Sequence, residues 1–522
     1  MLSSVSLSAA HAAAVNRRRR IIVQYDAWDA PLLGADIDPW LAYRFGYMDE
    51  RGSQIDSLWW DIGLGGEAVF ADSFLGPVTQ PGLLKWQSRG IDWIQALIDA
   101  CRKRGLEAFW NARVSEVETN PDGLELKTLH PIKAAHPDWT IKTWWWQGMW
   151  NFASPGLREY KVRALREVAE RYDFDGCQLD FARHTPYVEV GRQWELRGEV
   201  TEYVRMVRTM LQAVAAQKRK PILLSAKVPE NLRGCREDGL DVETWVKENL
   251  VDMFTLGSRT MDVDIEAFRQ ITAGKNIKLF PCFDDHHASD GYRSPPIELL
   301  RGISGNWWQQ GADGVTTFNW SNADAETCKR MGVPPGPPSQ QQAYHEVGEP
   351  AGLKYKDKIF AVERRGGYPW SEGYFNHNKY SPLPATLAYD GRATELTVRV
   401  CDDLAGEADR LNEVTLRLTI FAAQEGDRIE VQLNGTKLEE ATYDFGWKDG
   451  QVFSPNPQRI SGGDGIFPID PNQKLLLLTF PVSPKIVRQG KNDVRIWVSN
   501  RIPFMPCVEI QVEKVEIHTK YY

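Results

Sequence analysis

Eight short apolar runs punctuate the chain between residues 20 and 320. They are RIIVQYDAW (20–28), SLWWDIG (57–63), GLEAFWNARV (105–114), FDGCQLDFA (174–182), PILLSAKV (221–228), LVDMFTLG (250–257), IKLFPCFDD (277–285) and ADGVTTFNW (312–320). Their length, without strict alternation, suits strands buried on both faces of a parallel sheet. Amphipathic stretches separate them. Ile91, Ile94, Leu97, Ile98 and Cys101 share one helical face, as do Tyr203, Val204, Val207, Met210, Leu211 and Val214. Leu157, Val162, Leu165 and Val168 mark another such helix, and Val242, Trp245, Val246 and Leu250 a fourth. Strands alternating with helices in this way predict an α/β fold, a (β/α)8 TIM barrel over residues 20–345. An open doubly wound sheet is the alternative, but no GxGxxG or Walker-type loop follows the first strand, so its nucleotide-binding versions lose support.

The segment VPPGPPSQQQ (333–342) interrupts this texture, because Pro and Gly deny the chain helix or strand continuation. Beyond it, TELTVRVCD (394–402), EVTLRLTIF (413–421), DRIEVQLNG (427–435), KLLLLTFPV (474–482), NDVRIWVSN (492–500) and VEIQVEKVEIH (508–518) alternate apolar with polar residues. Asn434-Gly435 and Gly490-Lys491-Asn492 are turn signals. An antiparallel β-sandwich over residues 350–522 follows, either a packing module or a carbohydrate-binding one. Residues 1–19 read as a leader or a signal remnant. AHAAA (10–14) resembles a secretory cleavage site, which points to a secreted or periplasmic protein. No positive charge precedes it, however, and Arg17–Arg20 follow it, so a disordered leader fits equally.

Composition narrows the partners. A net charge of −8 with a pI near 5.7 argues against nucleic acid, since phosphate binding needs a basic face. No apolar stretch is long enough for a membrane span. Seven scattered Cys without a CxxC argue against a disulfide framework or a thiolate metal site, and Cys101 and Cys177 sit in apolar patterns as buried free thiols. The 20 Trp, with 17 Tyr and 20 Phe, serve either a large aromatic core or a cleft whose flat rings meet sugar faces. Nothing in the pattern specifies an oligomeric state.

Barrel enzymes act at the carboxyl ends of their strands. These ends carry Asp26, Trp28 and Asp29; Trp59, Trp60 and Asp61; Trp110, Asn111 and Arg113; Asp180, Arg183 and His184. The remaining four carry Lys227 and Glu230; Ser258, Arg259 and Asp262; Asp284, Asp285, His286 and His287; and Asn319 and Trp320. Acids crowded into one cleft cost free energy unless cations pair with them, and Arg113, Arg183, Lys227 and Arg259 are placed to do so. Asp29, Asp61 and Asp262 also suit helix caps. Asp180 ends an apolar run rather than opening a turn. WWWQGMW (144–150) holds too many rings to hide them all, so Trp146 joins Trp28, Trp60, Trp110 and Trp320 as a candidate sugar platform. Sugar hydroxyls would then meet Asp26, Asn111, Arg113, Arg183, His184, Lys227, Asp284, His286 and Asn319. Neither a metal nor another cofactor is expected. The adjacent His286 and His287 cannot readily chelate one ion from one strand face, and HExxH, GxSxG and glycine-loop motifs are missing.

FDGCQLDFARH (174–184) resembles strand four of the retaining glycoside hydrolase barrels of the α-amylase-like group. LREYKVRALREVAERYDFDGCQLDFARH and SAKVPENLRGCREDGLDVETWVKENLVD are similar to bacterial glycosyl-hydrolase-like barrels described as family-ten-like. The resemblance covers roughly residues 20–320 and implies that Asp180 is the catalytic nucleophile. Gln178 stands where the amylase group carries Arg. For the acid/base, the resemblance implies Glu230 beyond strand five, with Asp262 or Asp285 as alternatives. Retaining hydrolysis needs two carboxyls about 5–5.5 Å apart, one to attack the anomeric carbon and one to protonate the leaving oxygen. Two other readings stand beside it: a carbohydrate-binding barrel without turnover, and a lyase or metal-assisted enzyme on acidic sugars using His184 or the His286–His287 pair.

Overall fold

The computed structural model describes residues 9–26, 36–62, 68–115, 129–143, 145–257, 260–284, 292, 295–320, 323–332, 335–364, 380–449, 474–501 and 509–522. Eight strands close into a parallel barrel in chain order. They are β1 (Ile21–Asp26), β2 (Ile55–Asp61), β3 (Glu107–Arg113), β4 (Gly176–Asp180), β5 (Leu223–Val228), β6 (Met253–Leu256), β7 (Lys278–Asp284) and β8 (Val315–Phe318). Each lies inside the apolar run expected for it, except that β2 starts two residues earlier. The helices between them start on side-chain caps where the sequence offers Asp or Asn. Asp92 accepts from the Gln95 N–H at 3.2 Å, Asn231 from Gly234 at 2.8 Å and Asp241 from Thr244 at 3.1 Å. Such caps contribute about 1 kcal/mol each. The helix Trp93–Lys103 turns Ile94, Leu97, Ile98 and Cys101 into the core, and burial pushes the Cys101 thiol up to about 12.

Registered residues of parallel strands share a face. One parity of the barrel strands therefore points inward throughout. Its lower layer comprises Ile22, Trp59, Phe109, Leu223, Met253 and Phe280, a compact cluster with Trp59 stacked on Phe109 at 4.6 Å. Val15 completes this cluster from a helix at Ala9–Val15. Just after it, the buried Arg19 guanidinium meets Glu107 through two contacts of 2.6 Å, and Glu107 also accepts from Ser57 at 2.8 Å. His11 lies 2.8 Å from Asp252, which Arg208 also clasps at 2.7 and 2.9 Å. Within the stretch read as a leader, His11, Val15 and Arg19 are thus buried against the barrel floor.

A short helix, Pro338–Ala343, with Pro at its first turn, begins inside the segment 333–342. A proline is tolerated there because that N–H has no partner inside the helix. The second domain is a two-sheet sandwich. One sheet runs β9 (Lys358–Ala361), β18 (Gln511–Tyr521), β12 (Leu411–Phe421), β16 (Leu475–Pro481) and β15 (Thr442–Asp444), with β10 (Ala385–Thr386) also on β18. The other runs β11 (Thr394–Val400), β17 (Gly490–Asn500), β13 (Arg428–Leu433) and β14 (Thr436–Lys437). Alternation supplies the core: Leu396, Val398 and Val400 face Leu416, Leu418 and Ile420 across it. The barrel helix Ile297–Gln309 docks against β9 through Gly302, where a Cβ would collide with the Ile359 carbonyl. Among the described residues no helix is long and apolar enough to cross a membrane.

Candidate active site

The inward parity that fills the floor with rings turns polar higher up. Gln24 and Asp26 on β1, Asp61 on β2, Asn111 and Arg113 on β3, Gln178 and Asp180 on β4 and Lys227 on β5 all belong to it. The register pairs Asp26 with Asp61, Asp61 with Asn111, Arg113 with Asp180 and Asp180 with Lys227. A continuous arc of acids, amides and cations therefore rims the carboxyl end of five neighbouring strands. Parallel neighbours lie about 4.8 Å apart, so the Asp180 backbone stands one strand from the backbones of Arg113 and of Lys227.

Arg113 is committed to two of the acids. It lies 2.5 Å from Asp26 and 2.8 Å from Asp61. Asn319 donates to Asp26 at 2.8 Å and accepts from the Asp26 N–H at 2.9 Å. Burial pushes the Asp26 carboxyl upward, but the charges of Arg113 and Arg183 and the Asn319 hydrogen bond override it and hold the group below the usual carboxylate range. Lys227 is fully buried, donates to Gln24 at 3.4 Å and lies 4.3 Å from the Phe318 ring centroid. The Arg183 guanidinium lies 5.7 Å from the same centroid.

Asp180 is held differently from Asp26. It is fully buried, and its Oδ1 accepts the Ala182 N–H at 2.9 Å. Its Oδ2 finds no hydrogen-bond donor among the described residues, nor do Asn111 Oδ1 and Gln178 Oε1 on the same inward face. Buried acceptors without donors cost roughly 1–3 kcal/mol each. A patch of them fits a ligand that brings O–H donors. Gln178, where the resemblance leads one to expect Arg, donates to Thr255 at 2.7 Å and serves the barrel interior. His184 and Asn319, just past β4 and β8, adopt left-handed backbone with φ of 58° and 57°. Such strain concentrates at functional sites.

Several expected residues lie elsewhere. Trp60 and Trp110 occupy the outward parity. Trp60 packs among Tyr25, Trp40 and Phe45, and Trp110 against Phe174, in the layer between strands and helices. Trp320 is likewise core, edge-on to Phe283. These three are corrected from sugar platforms to packing residues. Of WWWQGMW, Trp145 and Trp150 are buried and Trp146 is 51% exposed, with Trp144 outside the described residues. His184 is buried beneath the rim, its Nδ1 3.0 Å from the Ser115 carbonyl. Glu230 is buried two residues beyond β5, backed by Gly257, where a Cβ would come within 3.2 Å of the Glu230 Cβ. Asp262 leaves the bowl altogether and lines a crevice against the second domain. Trp28, Asp285, His286 and the side chain of Asp284 lie outside the described residues. Asp61 and Gln178 were not among the expected ligands. The signal was present, since every polar residue within β1 to β5 that reaches this face shares one parity.

No known family model and no curated protein matches the chain. Among solved structures it is similar to alpha-L-fucosidase isoenzyme 2 from Paenibacillus thiaminolyticus, at 14% identity and a TM-score of 0.40, over 66% of this chain and 51% of that one. The chain thus spans about half the length of the fucosidase. It is also similar to a noncanonic maltogenic alpha-amylase from Thermotoga neapolitana, at 11% identity and a TM-score of 0.38, over 76% of this chain and 90% of that one. A third is a GH36 alpha-galactosidase from Geobacillus stearothermophilus, at 12% identity and a TM-score of 0.33, over 89% and 56%. Likeness at this level says nothing about the reaction.

Proposed function

We propose that the chain is a glycoside hydrolase that cleaves an oligo- or polysaccharide by a retaining, two-carboxylate mechanism with Asp180 as nucleophile. The observation that carries this reading is the Asp180 carboxylate itself. One oxygen is fixed by the Ala182 N–H, and the other is buried, inward-facing and without a donor among the described residues. Asp26 and Asp61 are tied to Arg113 and so suit binding and charge balance rather than attack. Glu230 and Asp285 remain the acid/base candidates.

In the first step Asp180 Oδ2 attacks the anomeric carbon while the bond to the leaving oxygen breaks. That oxygen takes a proton from the acid/base carboxyl. In the second step the same group, now a carboxylate, takes a proton from water, and the water oxygen displaces Asp180 from the sugar. Lys227, registered with Asp180 on the next strand, keeps its ammonium inside the same bowl, 3.4 Å from Gln24. Trp146 offers an exposed ring for a sugar further along the chain.

The test is Asp180→Asn, assayed on a panel of polysaccharides and aryl glycosides with binding measured in parallel. The reading expects turnover to fall by a factor on the order of 10³ or more with binding retained. A substrate of the native chain that Asp180→Asn still cleaves at a comparable rate would end it. Binding without any turnover in the native chain would favour a carbohydrate-binding barrel instead.

A further inference from the structure

A crevice of about 310 Å³ opens where the loop after β6 meets the second domain. Asp262 and Asp264 line it from the barrel, and Thr397 and Arg399 of β11 with Lys491 of β17 line it from the sandwich. Its walls are held rigidly. Glu363, at the entry to the sandwich, accepts from the N–H groups of Met261 and Asp262 at 2.5 and 2.7 Å and from Thr260 at 3.1 Å. Arg399 is locked by two contacts of 2.9 and 3.0 Å to Glu266 and one of 3.2 Å to Gln309.

Within this rigid frame two charges are left over. Among the described residues, neither the Asp262 carboxylate nor the Lys491 ammonium makes a side-chain hydrogen bond or ion pair, although each lies in the other's field. Exposed opposite charges gain little by pairing, so both stay available to a ligand. A free carboxylate seeks two O–H donors, and a free ammonium seeks hydroxyl or ring oxygens. A sugar presents both on one small ring. The three lining carboxylates, Asp262, Asp264 and Glu363, outnumber the two cations, so a neutral sugar fits better than an acidic one. The volume lies at the low end of ligand sites, and such sites favour domain junctions.

We propose that this interdomain crevice is a second carbohydrate-binding site, taking one or two neutral sugar units through Asp262, Lys491 and Arg399. The sandwich thereby contributes directly to holding the polymer. The inference rests on the reading of the barrel as acting on carbohydrate, but its test is independent of turnover.

The full chain carrying Asp180→Asn is titrated calorimetrically with malto-, cello-, xylo-, manno- and chitohexaose. The same titrations follow with Asp262→Ala and Lys491→Ala added together, and separately with Thr397→Trp, which fills the crevice. All three positions are solvent-exposed, so the melting temperature should stay put. At least one hexasaccharide should bind, and the crevice variants should weaken that binding, or one of two resolved sites, at least tenfold. Binding unchanged by both crevice variants, or no binding by any hexasaccharide, overturns the inference. A hexasaccharide that the native chain cleaves but whose binding ignores the crevice variants sinks this inference alone. One that is bound through the crevice but that the native chain never cleaves sinks the glycosidase reading alone.

Discussion

Replacing Arg19 with Met removes the ion that joins the amino-terminal segment to the barrel floor. The Arg19 side chain is fully buried, with two 2.6 Å contacts to Glu107 and further bonds to the carbonyls of Ala14, Val15 and Arg17 at 2.9, 3.0 and 3.1 Å. Without it Glu107 is a buried carboxylate supported by the Ser57 hydroxyl. Breaking a buried pair by removing one partner costs about 3–5 kcal/mol. At about 2 °C per kcal/mol for a domain of this size, the barrel transition in differential scanning calorimetry should fall by roughly 6–10 °C. Adding Glu107→Met removes the stranded charge and should restore at least half of the loss. A chain truncated before Arg20 should lose as much as Arg19→Met or more, because Val15 and His11 leave with it. A shift below about 1 °C for Arg19→Met, or a double variant less stable than the single one, would refute the reasoning.

Asp252 makes a prediction about acid. Burial opposes its ionised form, but the Arg208 charge and the His11 hydrogen bond hold its carboxyl down at about 2. A depressed carboxylate stabilises the fold fully above about pH 4 and loses that contribution, about 2 kcal/mol, as pH falls toward 2. Asp252→Asn should therefore be less stable than the native chain near neutrality, with the gap narrowing below pH 4 in acid-unfolding curves. Trp60→Ala and Trp146→Ala should separate core from surface. The first should cost about 3–5 kcal/mol by thermal denaturation. The second should leave the melting temperature unchanged and weaken oligosaccharide binding several-fold in calorimetric titrations. Arg113→Met should lift the Asp26 carboxyl, since burial then faces less opposition, and carbon-13 carboxyl titration reads that rise directly.

The barrel was legible because eight apolar runs of strand length recur with helical faces between them, and every observed barrel strand falls within or close to its run. Asp180 was legible because it ends such a run. The orientation of the rings was not. In a parallel strand both faces are buried, so Tyr25, Trp60 and Trp110 on the outer face look no different in sequence from inward-facing Trp59 and Phe109. Only the polar residues betray the parity, and Gln24, Asp61, Asn111, Gln178 and Asp180 agree on it. The floor was hidden for another reason. AHAAAV has the small-residue texture of a cleavage site, and what makes it structural, the pairs His11–Asp252 and Arg19–Glu107, spans 241 and 88 residues of sequence. The crevice and its residues belong to two domains and have no local signature at all.

The central claim, that Asp180 forms the covalent bond to the sugar, is tested most directly by trapping that bond. The native chain is incubated with a panel of 2-deoxy-2-fluoro glycosides and epoxide cyclitols, digested with pepsin, and mapped by tandem mass spectrometry. The account predicts one added glycosyl or cyclitol mass on the peptide spanning FDGCQLDFARH, located at Asp180 and lost in Asp180→Asn. A label on another carboxylate, or turnover of substrate that none of these probes inhibits, would contradict it.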